Sequence, residues 1–275
     1  MNRLAGKVAV VLGAAGKDNM GQGIARRFAD EGARVVVAGR NEGELQSVAA
    51  EIQGEYAVCD ITRKGDVERL ARKALDAYGQ LDIAINCTGW GLMARLRDTT
   101  EDQIDRLMDL QFKGTFFFLQ VFAEQLAAKG GGSLITMSSA SVYALLFNHA
   151  AYIGTKAGAD ALMRCFANEY GARNVKVNSI APGLTSTPMT EREMKMPGLQ
   201  EAFLKEYPLG RIGTPLDVAN AAVWLASDES FVTGQVLQVN GGLTLRRNPL
   251  PREINASLAA AGAPRGVRVE KNSQD

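Results

Sequence analysis

Short runs of consecutive apolar residues alternate along the chain with longer segments whose apolar residues recur every three or four positions. The early runs are mostly valine, isoleucine and alanine, which is typical of parallel strands covered by helices on both faces. The longer segments have the period of amphipathic helices. The predicted strands are 8–12, 35–38, 55–59, 83–86, 133–137, 176–180 and 235–239. The predicted helices are 21–31, 42–52, 64–78, 101–128, 150–171 and 216–226.

This repeated strand–helix order predicts an α/β fold, namely a single doubly wound Rossmann domain. Its parallel sheet should have about seven strands, with helices on both faces. No linker or change of composition interrupts residues 1–245, so we predict that they form one domain holding the cofactor and substrate sites. Residues 246–275 are rich in proline, alanine and charge. We predict that they form a C-terminal extension on the surface or on a partner subunit.

Composition narrows the range of functions. The 275 residues carry a formal net charge of +1, so no basic excess points to a nucleic acid or an anionic membrane as partner. No apolar run is long enough for a membrane span, and three scattered cysteines fit a reducing compartment, which predicts a cytoplasmic protein. With His149 as the single histidine and no G-x-S-x-G elbow, we expect neither a metal site nor a Ser-His-Asp hydrolase.

Four glycines lie between the first predicted strand and the first predicted helix, in the stretch LGAAGKDNMGQG. Their spacing matches neither the P-loop nor G-x-G-x-x-G. A tight turn at Gly13 and a helix beginning near Gly21 can still bring backbone N–H groups and the positive end of a helix dipole to a pyrophosphate. A tight strand-to-helix turn without any ligand also favours glycine, so the loop alone leaves both interpretations open.

The end of the second predicted strand bears on the choice of dinucleotide. An acidic residue there would bind the adenosine ribose of NAD, whereas an arginine accommodates the 2′-phosphate of NADP. The strand ends in Gly39-Arg40-Asn41, and Lys17 in the glycine loop supplies a second cation. We therefore favour NADP(H) as the cofactor, with NAD(H) possible. The alternative is that Arg40 is a solvated surface charge.

The candidate chemistry lies in SSASVYALLFNHAAYIGTK. Tyr152 and Lys156 are four residues apart in a predicted helix, so their side chains share a face. A neighbouring ammonium favours the phenolate and would bring the tyrosine pKa down from about 10. Such a phenol can exchange a proton with an oxygen undergoing hydride transfer, while the Ser139 hydroxyl bonds the same oxygen. Taken alone, a Tyr-x-x-x-Lys pair is more often simple helix packing.

Several motifs occur together in one order: the glycine loop, CDIT, NCTG, Ser139 thirteen residues before Tyr152, YIGTK, PGLTST and GQVLQVNGG. With this set the chain resembles the short-chain dehydrogenase/reductase family over roughly residues 5–245. The resemblance implies Tyr152 as general acid/base, Ser139 as its partner on the substrate oxygen, and Lys156 as the group that lowers the tyrosine pKa and binds the nicotinamide ribose. It also implies a set of further cofactor contacts. These are Gly13, Lys17, Asn19, Met20, Gly21, Arg40, Asp60, Ile61, Asn86, Gly89, Pro182, Gly183, Thr185 and Thr187.

The chain departs from the family pattern at three places. The glycine loop has two extra residues before Asn19, which resembles the enoyl reductase branch. The family's Asn-Asn-Ala-Gly is Asn-Cys-Thr-Gly at 86–89, a change that we expect to be tolerable near the adenosine. Gln111 occupies the position of a catalytic asparagine, so it either serves in the proton relay or the relay is rerouted. In the enoyl branch the tyrosine precedes the lysine by seven positions, where this chain has His149, so the spacing favours carbonyl/alcohol chemistry.

Apolar residues flank the predicted nicotinamide position, which favours a bulky apolar carbonyl or secondary alcohol such as a steroid, terpenoid, aryl ketone or 3-oxoacyl group. The predicted substrate pocket comprises Trp90, Met93, Ser139, Tyr143, Phe147, His149 and Met189. The apolar helix faces at 108–122 and 157–166 imply, by resemblance, a homo-oligomer, either a dimer or a tetramer. Three alternatives stay open: enoyl-thioester reductase-like activity, a dinucleotide-sensing protein without turnover, and a structural subunit of a larger reductase.

Overall fold

The computed structural model describes residues 2–190 and 194–263. Its centre is a seven-stranded, all-parallel sheet in the order β3-β2-β1-β4-β5-β6-β7, which confirms the predicted doubly wound fold. The strands are β1 (Val8–Leu12), β2 (Arg34–Gly39), β3 (Glu55–Val58), β4 (Ile83–Asn86), β5 (Gly132–Met137), β6 (Val175–Pro182) and β7 (Val236–Val239). The described α-helices are α1 (Met20–Asp30), α2 (Glu42–Glu51), α3 (Lys64–Tyr78), α4 (Glu101–Leu107), α5 (Gly114–Ala128), α6 (Ala150–Tyr170), α7 (Leu199–Leu204), α8 (Pro215–Ala226) and α9 (Pro251–Ala260).

Successive strand residues belong to two separate cores, one on each face of the sheet. Val11 packs with residues of α1, α2 and α8, such as Phe28 of α1. Its neighbour Val10 packs with residues of α3, α5 and α6, such as Phe118 of α5. Because side chains alternate across a strand, a strand buried on both faces must be apolar at every position, and β1 is.

The strand order reverses between β1 and β4, which pair in parallel with Val10 opposite Ala84. Loops that leave the carboxyl ends of neighbouring strands diverge at such a switch point and form the ligand crevice of open α/β sheets. Here the two loops touch closely. A Cβ atom on Gly13, after β1, would lie 2.7 Å from the carbonyl carbon of Cys87, after β4. Gly13 has φ +102°, in the region that favours glycine, so both its conformation and its surroundings require this residue.

The predicted helix over 101–128 is confirmed as one continuous helical run, with a π-helical segment inside it. A capping box between Thr100 and Gln103 starts α4, and a π-helical segment, Met108–Lys113, then leads into α5. A π-helical turn widens the helix by one residue, and such turns are frequent at functional sites. The turn contains Gln111, whose side chain is buried beneath the site described below.

Residues beyond 245 pack against the domain up to Ala263, partly as the helix α9. Ile254 and Leu258 of α9 are buried in a third apolar cluster with Phe203 of α7 and Ala144 of the loop after β5. The Asn248 amide donates to the Ala144 carbonyl. The physical reason is the spacing of Ile254 and Leu258, which gives α9 an apolar stripe that must be covered. Residues 264–275 lie outside the described part of the chain.

Candidate active site

Tyr152 and Lys156 lie one turn apart on α6, beside the end of β5. The Lys156 Nζ atom is 5.9 Å from the centroid of the Tyr152 ring, as expected from the spacing. Lys156 is only 5% exposed, and its Nζ donates a 2.6 Å hydrogen bond to the carbonyl of Met137, the last residue of β5. This bond fixes α6 beside the carboxyl end of β5, next to Ser138 and Ser139.

The pKa of Tyr152 differs from the sequence expectation. Burial raises this pKa, and a hydrogen bond with the Ser139 hydroxyl lowers it by a smaller amount, so the net direction is upward. The Lys156 ammonium, whose Nζ donates to the Met137 carbonyl, does not reverse this direction. The phenol is therefore held protonated in the protein alone, which suits a general acid.

Burial lowers the pKa of Lys156 to about 8, while the negative charge of Asp160 opposes that shift. A buried ammonium is poorly solvated and gains from any additional acceptor. Lys156 is also close to the loop after β4, since a Cβ atom on Gly89 would lie 3.7 Å from its Nζ. The side chain is thus placed between the phenol, the sheet edge and the predicted cofactor crevice.

Asp160, which the sequence analysis missed, lies one further turn along α6 and is buried. Its Oδ2 accepts a 2.5 Å hydrogen bond from Ser138 Oγ, the residue before Ser139. Burial raises the pKa of this carboxyl, and bonds from Ser138 and Ser179 together with Lys156 oppose the shift. The available signal was a charged residue four positions after Lys156 on the inward face of an otherwise apolar helix.

Gln111 bridges two parts of the site. Its Oε1 accepts from the Trp90 backbone N–H at 3.1 Å, and its Nε2 donates to Thr155 Oγ1 at 2.7 Å. Thr155 in turn donates to the Tyr152 carbonyl at 2.9 Å. Gln111 therefore holds the loop after β4 against the catalytic turn of α6, and among the described contacts its amide makes no bond to Lys156.

The widened glycine loop is closed by its own side chains. Asn19 Nδ2 donates to the Gly13 carbonyl at 2.8 Å, and Asn19 Oδ1 caps α1 by accepting from Gln22 N–H. Gln22 is buried, donates to the Ala14 carbonyl and accepts from Asp18 N–H. Two side-chain amides thus support the two extra loop residues.

Gly21 is needed mainly for packing. A Cβ atom there would lie 2.5 Å from the Gly13 carbonyl oxygen, so only glycine lets α1 approach the turn. Of the four amides at the start of α1, those of Gln22 and Gly23 are bonded to Asn19. The amides of Met20 and Gly21 have no partner among the described residues. Because the first turn of α1 contains no acidic residue, nothing there repels a phosphate.

The residues predicted at the adenosine end follow β2 and β3. Lys17 and Arg40 are exposed. Asp60 is half-buried, and burial alone would raise its pKa. Hydrogen bonds from Thr62 and the charge of Arg40 together outweigh burial, so the pKa of Asp60 lies below its ordinary value. Ile61 has its side chain in the core, so only its backbone faces the crevice.

The Asn86 side chain acts within the protein. It accepts from the N–H and hydroxyl of Thr88 and donates to Thr115 Oγ1, which ties the loop after β4 to α5. At the other end of the crevice, Pro182 ends β6 and Leu184 N–H donates to the buried Tyr207 hydroxyl. Thr185 Oγ1 donates to the Gly183 carbonyl, and Thr187 N–H donates to Thr190 Oγ1.

Three of the predicted substrate residues are large, partly exposed side chains in the loops that follow β4 and β5. Met93 is 64% exposed, Tyr143 49% and Phe147 43%. Ala94 N–H donates to the Asn148 carbonyl at 2.8 Å, which joins the loops after β4 and β5. Trp90 lies under the Arg106 guanidinium at 4.1 Å, and His149 meets the Tyr152 ring edge-on. The side chain of Met189 lies outside the described residues.

Within the described residues, no helix is both long and apolar enough to cross a membrane. In the same part of the chain, no three His, Cys, Asp or Glu side chains are grouped so that they could hold a metal ion.

The chain is similar to proteins of known families. A family model described as "Enoyl-(Acyl carrier protein) reductase" matches residues 13–244. The 3-oxoacyl-[acyl-carrier-protein] reductase FabG of Thermotoga maritima is 34% identical over 252 residues, which cover 88% of this chain and 100% of that protein. An NAD-dependent glycerol dehydrogenase of Listeria innocua is 33% identical over 244 residues, covering 87% of this chain and 94% of that protein.

A solved structure of a short-chain type dehydrogenase/reductase from Mycobacterium ulcerans superposes with a TM-score of 0.87 at 30% identity. The superposition covers 93% of this chain and 98% of that one. The family expected from the motifs is therefore confirmed: this oxidoreductase chain belongs to the short-chain dehydrogenase/reductase family.

Proposed function

We propose that the protein interconverts a carbonyl and a secondary alcohol by hydride transfer, with NADP(H) as its preferred cofactor and a bulky apolar molecule as its substrate. The observation that carries the proposal is the joint placement of Ser139, Tyr152 and Lys156 at the carboxyl edge of the sheet. Lys156 is fixed by the Met137 carbonyl, and the Ser139 hydroxyl is near enough to the phenol to oppose the rise of the Tyr152 pKa.

In the reducing direction Tyr152 donates its proton to the carbonyl oxygen as that oxygen gains negative charge. Burial supports this role because it raises the pKa of the phenol. The Ser139 hydroxyl, which already contacts the phenol, bonds the same oxygen and orients it. In the oxidising direction Tyr152 accepts the alcohol proton. Each step needs both hydroxyls on one oxygen, so the two residues act as a unit.

A nicotinamide dinucleotide, when bound, supplies or accepts the hydride. The residues present fit such a group, because the amides of Met20 and Gly21 are available for a pyrophosphate and no acid lies in the first turn of α1. Lys156 is placed to donate to the ribose hydroxyls, since its buried ammonium gains from any further acceptor. The Pro182–Thr187 segment would line the nicotinamide side.

The preference for NADP(H) rests on charge. Arg40 and Lys17 are exposed cations at the adenosine end, and a guanidinium pairs with a phosphate bidentately. The Listeria innocua relative is named an NAD-dependent enzyme, so membership of the family does not decide the cofactor. We place the 2′-phosphate beside Arg40. The next residue, Asn41, is the N-cap of α2, and its side chain accepts a hydrogen bond from the Glu44 N–H.

We further propose a homo-oligomer. Met108, Phe116 and Ile104 are large apolar side chains that remain about 40% exposed on α4, α5 and the π-helical segment. Phe116 makes an edge-to-face contact with Phe166 of α6, so aromatic side chains of α5 and α6 meet at this surface. Surfaces of this kind on a folded chain usually mark an interface, here with a second copy.

Reduction of an enoyl thioester is a second candidate, favoured by the description of the matched family model. His149, rather than a tyrosine, lies seven positions before Lys156, while Tyr152 lies four positions before it. This arrangement supports carbonyl chemistry as the leading proposal. Crotonyl-CoA, assayed beside the ketones, tests the second candidate directly.

The experiment compares the wild-type protein with Tyr152→Phe, using NADPH oxidation on a ketone panel and nicotinamide fluorescence for binding. We expect turnover to fall by about 10²–10⁴-fold while the cofactor affinity stays within a factor of about three. Cofactor binding without turnover by the wild-type protein on ketones and crotonyl-CoA would instead favour a dinucleotide sensor. Turnover that survives the substitution would overturn the assignment of Tyr152.

A further inference from the structure

His149 occupies the N-cap position of α6, three residues before Tyr152. Its ring centroid is 6.2 Å from that of Tyr152, and the two rings meet edge-on at 81°. The imidazole is therefore beside the phenol that carries the proposed reaction. It is not part of the Ser139, Tyr152 and Lys156 group and has no role in the proton transfer described above.

The backbone fixes which ring nitrogen carries the proton. Nδ1 lies 2.7 Å from the Phe147 carbonyl oxygen, and a carbonyl oxygen can only accept, so Nδ1–H is the donor. In the neutral ring Nε2 is then a lone-pair acceptor. Nε2 has no partner among the described residues, and it lies on the side of the ring away from the Phe147 carbonyl.

A left-handed residue and two hydrogen bonds shape the loop that supplies this carbonyl. Asn148 adopts a left-handed conformation, with φ +63°, which turns Phe147 back toward the imidazole. The Asn148 carbonyl accepts from Ala94 N–H, and the Ala144 carbonyl accepts from the Asn248 amide. The imidazole is thus oriented by a fixed loop rather than by its own rotamer preference.

The imidazole also stays neutral. Burial lowers the pKa of His149, and the bond to the Phe147 carbonyl opposes that shift by a smaller amount. This uncharged acceptor belongs to the loop that exposes Tyr143 and Phe147, and Asn148 ties that loop to the one that carries Met93. A mainly apolar surface with one fixed acceptor selects a ligand by a single hydrogen-bond donor.

We propose that His149 is a specificity-determining residue, whose Nε2 accepts a hydrogen bond from a hydroxyl on the carbon next to the reacting carbon of the substrate. The preferred substrate class is then an α-hydroxy ketone, or the corresponding vicinal diol, on an apolar skeleton. This inference rests on the proposed function, because the reacting oxygen is placed by Tyr152 and Ser139. The adjacent carbon then extends along the ring of Tyr152 toward the imidazole.

The test measures kcat/KM with NADPH for acetophenone, cyclohexanone and methyl hexyl ketone, each paired with its α-hydroxy derivative. The wild-type protein is compared with His149→Phe, which keeps an aromatic ring against Tyr152, and with His149→Gln, whose side-chain carbonyl can replace the Nε2 acceptor. The hydroxyl preference, taken as the ratio within each pair, cancels differences in folding and in the amount of active protein.

We expect the wild-type ratio to exceed that of His149→Phe by about 3- to 10-fold, the effect of one net hydrogen bond. The Gln variant should recover part of the ratio. A ratio unchanged in His149→Phe overturns the inference and leaves the proposed function intact. Absence of turnover on every pair by the wild-type protein overturns the proposed function and this inference with it.

Discussion

The side-chain amide of Gln111 donates a 2.7 Å hydrogen bond to Thr155 Oγ1, directly before Lys156 in the chain. Gln111 lies in a π-helical turn, and both ends of its amide are engaged, because Oε1 accepts from Trp90 N–H. The family's usual asparagine is one methylene shorter. The longer amide thus joins the loop after β4 to the catalytic turn of α6 without contacting Lys156.

Gln111→Leu should therefore reduce both stability and turnover. The substitution leaves a buried threonine hydroxyl and the Trp90 N–H without their partner, which costs about 1–3 kcal/mol in the free energy of unfolding. Chemical denaturation measures the loss, and Thr155→Val is the matched variant on the other side of the bond. In a double-mutant cycle the two substitutions should be less than additive. Strict additivity would show that the bond does not contribute.

Tyr152 governs the pH profile. Because burial raises its pKa above the ordinary value of about 10, the phenol is protonated through the neutral range. Ketone reduction needs the protonated phenol, so the titration of Tyr152 should lower its kcat/KM only above about pH 10, and any change near pH 8 should come from Lys156. Alcohol oxidation needs the phenolate, so its kcat/KM should rise with pH between pH 6 and 9. Initial rates with saturating cofactor measure both profiles, and a fall of the reduction rate near neutrality would contradict this assignment.

Arg40 should discriminate between the two dinucleotides. Arg40→Ala removes a guanidinium that we expect to bind the 2′-phosphate, and charge-assisted hydrogen bonds contribute about 1.5–3 kcal/mol. NADPH affinity should then fall about tenfold or more while NADH affinity changes little. Fluorescence titration gives both values, and Lys17→Ala tests the second cation. An equal loss for both cofactors would mean that Arg40 acts through Asp60, whose pKa its charge helps to lower, rather than through the phosphate.

Two glycines on helices should respond in opposite ways to alanine. In Gly21→Ala the new methyl group would lie 2.5 Å from the Gly13 carbonyl oxygen, so α1 must shift and both stability and cofactor affinity should fall. Gly154 lies on the exposed surface of α6, and a methyl group there would have no atom within 4 Å. Because alanine favours a helix more than glycine does, Gly154→Ala should stabilise the protein by up to about 1 kcal/mol. Thermal denaturation compares the pair, and an unchanged cofactor affinity in Gly21→Ala would argue against the loop as the pyrophosphate site.

The sheet was predictable because parallel strands buried on both faces leave a direct trace in the sequence. Val8–Leu12 reads as five consecutive apolar residues, and all five are buried. The helix spacing of Tyr152 and Lys156 was equally direct. What periodicity could not give was the π-helical turn within the helix over 101–128, since the residues of this turn keep an apolar pattern and the turn depends on where Gln111 packs.

Burial explains most of the remaining differences. The expected lowering of the Tyr152 pKa considered Lys156 alone, whereas desolvation by the surrounding loops acts in the opposite direction. Asp160 went unnoticed because its partner Ser138 lies 22 residues earlier and meets it only when α6 packs beside the end of β5. The charge on the inward face of α6 was visible in the sequence, but the residue that it contacts was not.

The C-terminal helix α9 should matter for substrate and not for cofactor. Leu258 is buried against the cluster that includes Ala140 and Ala144, which follow Ser139, whereas the glycine loop belongs to a different core. Leu258→Ala should lower the stability of the packing around α9 by about 2–5 kcal/mol. It should also raise KM for the ketone and leave NADPH affinity unchanged. Ala259→Ser, on the exposed side of the same helix, is the control. Steady-state kinetics and fluorescence titration separate the two effects. Equal losses of substrate and cofactor affinity would mean that α9 supports the whole domain rather than the substrate side of the crevice.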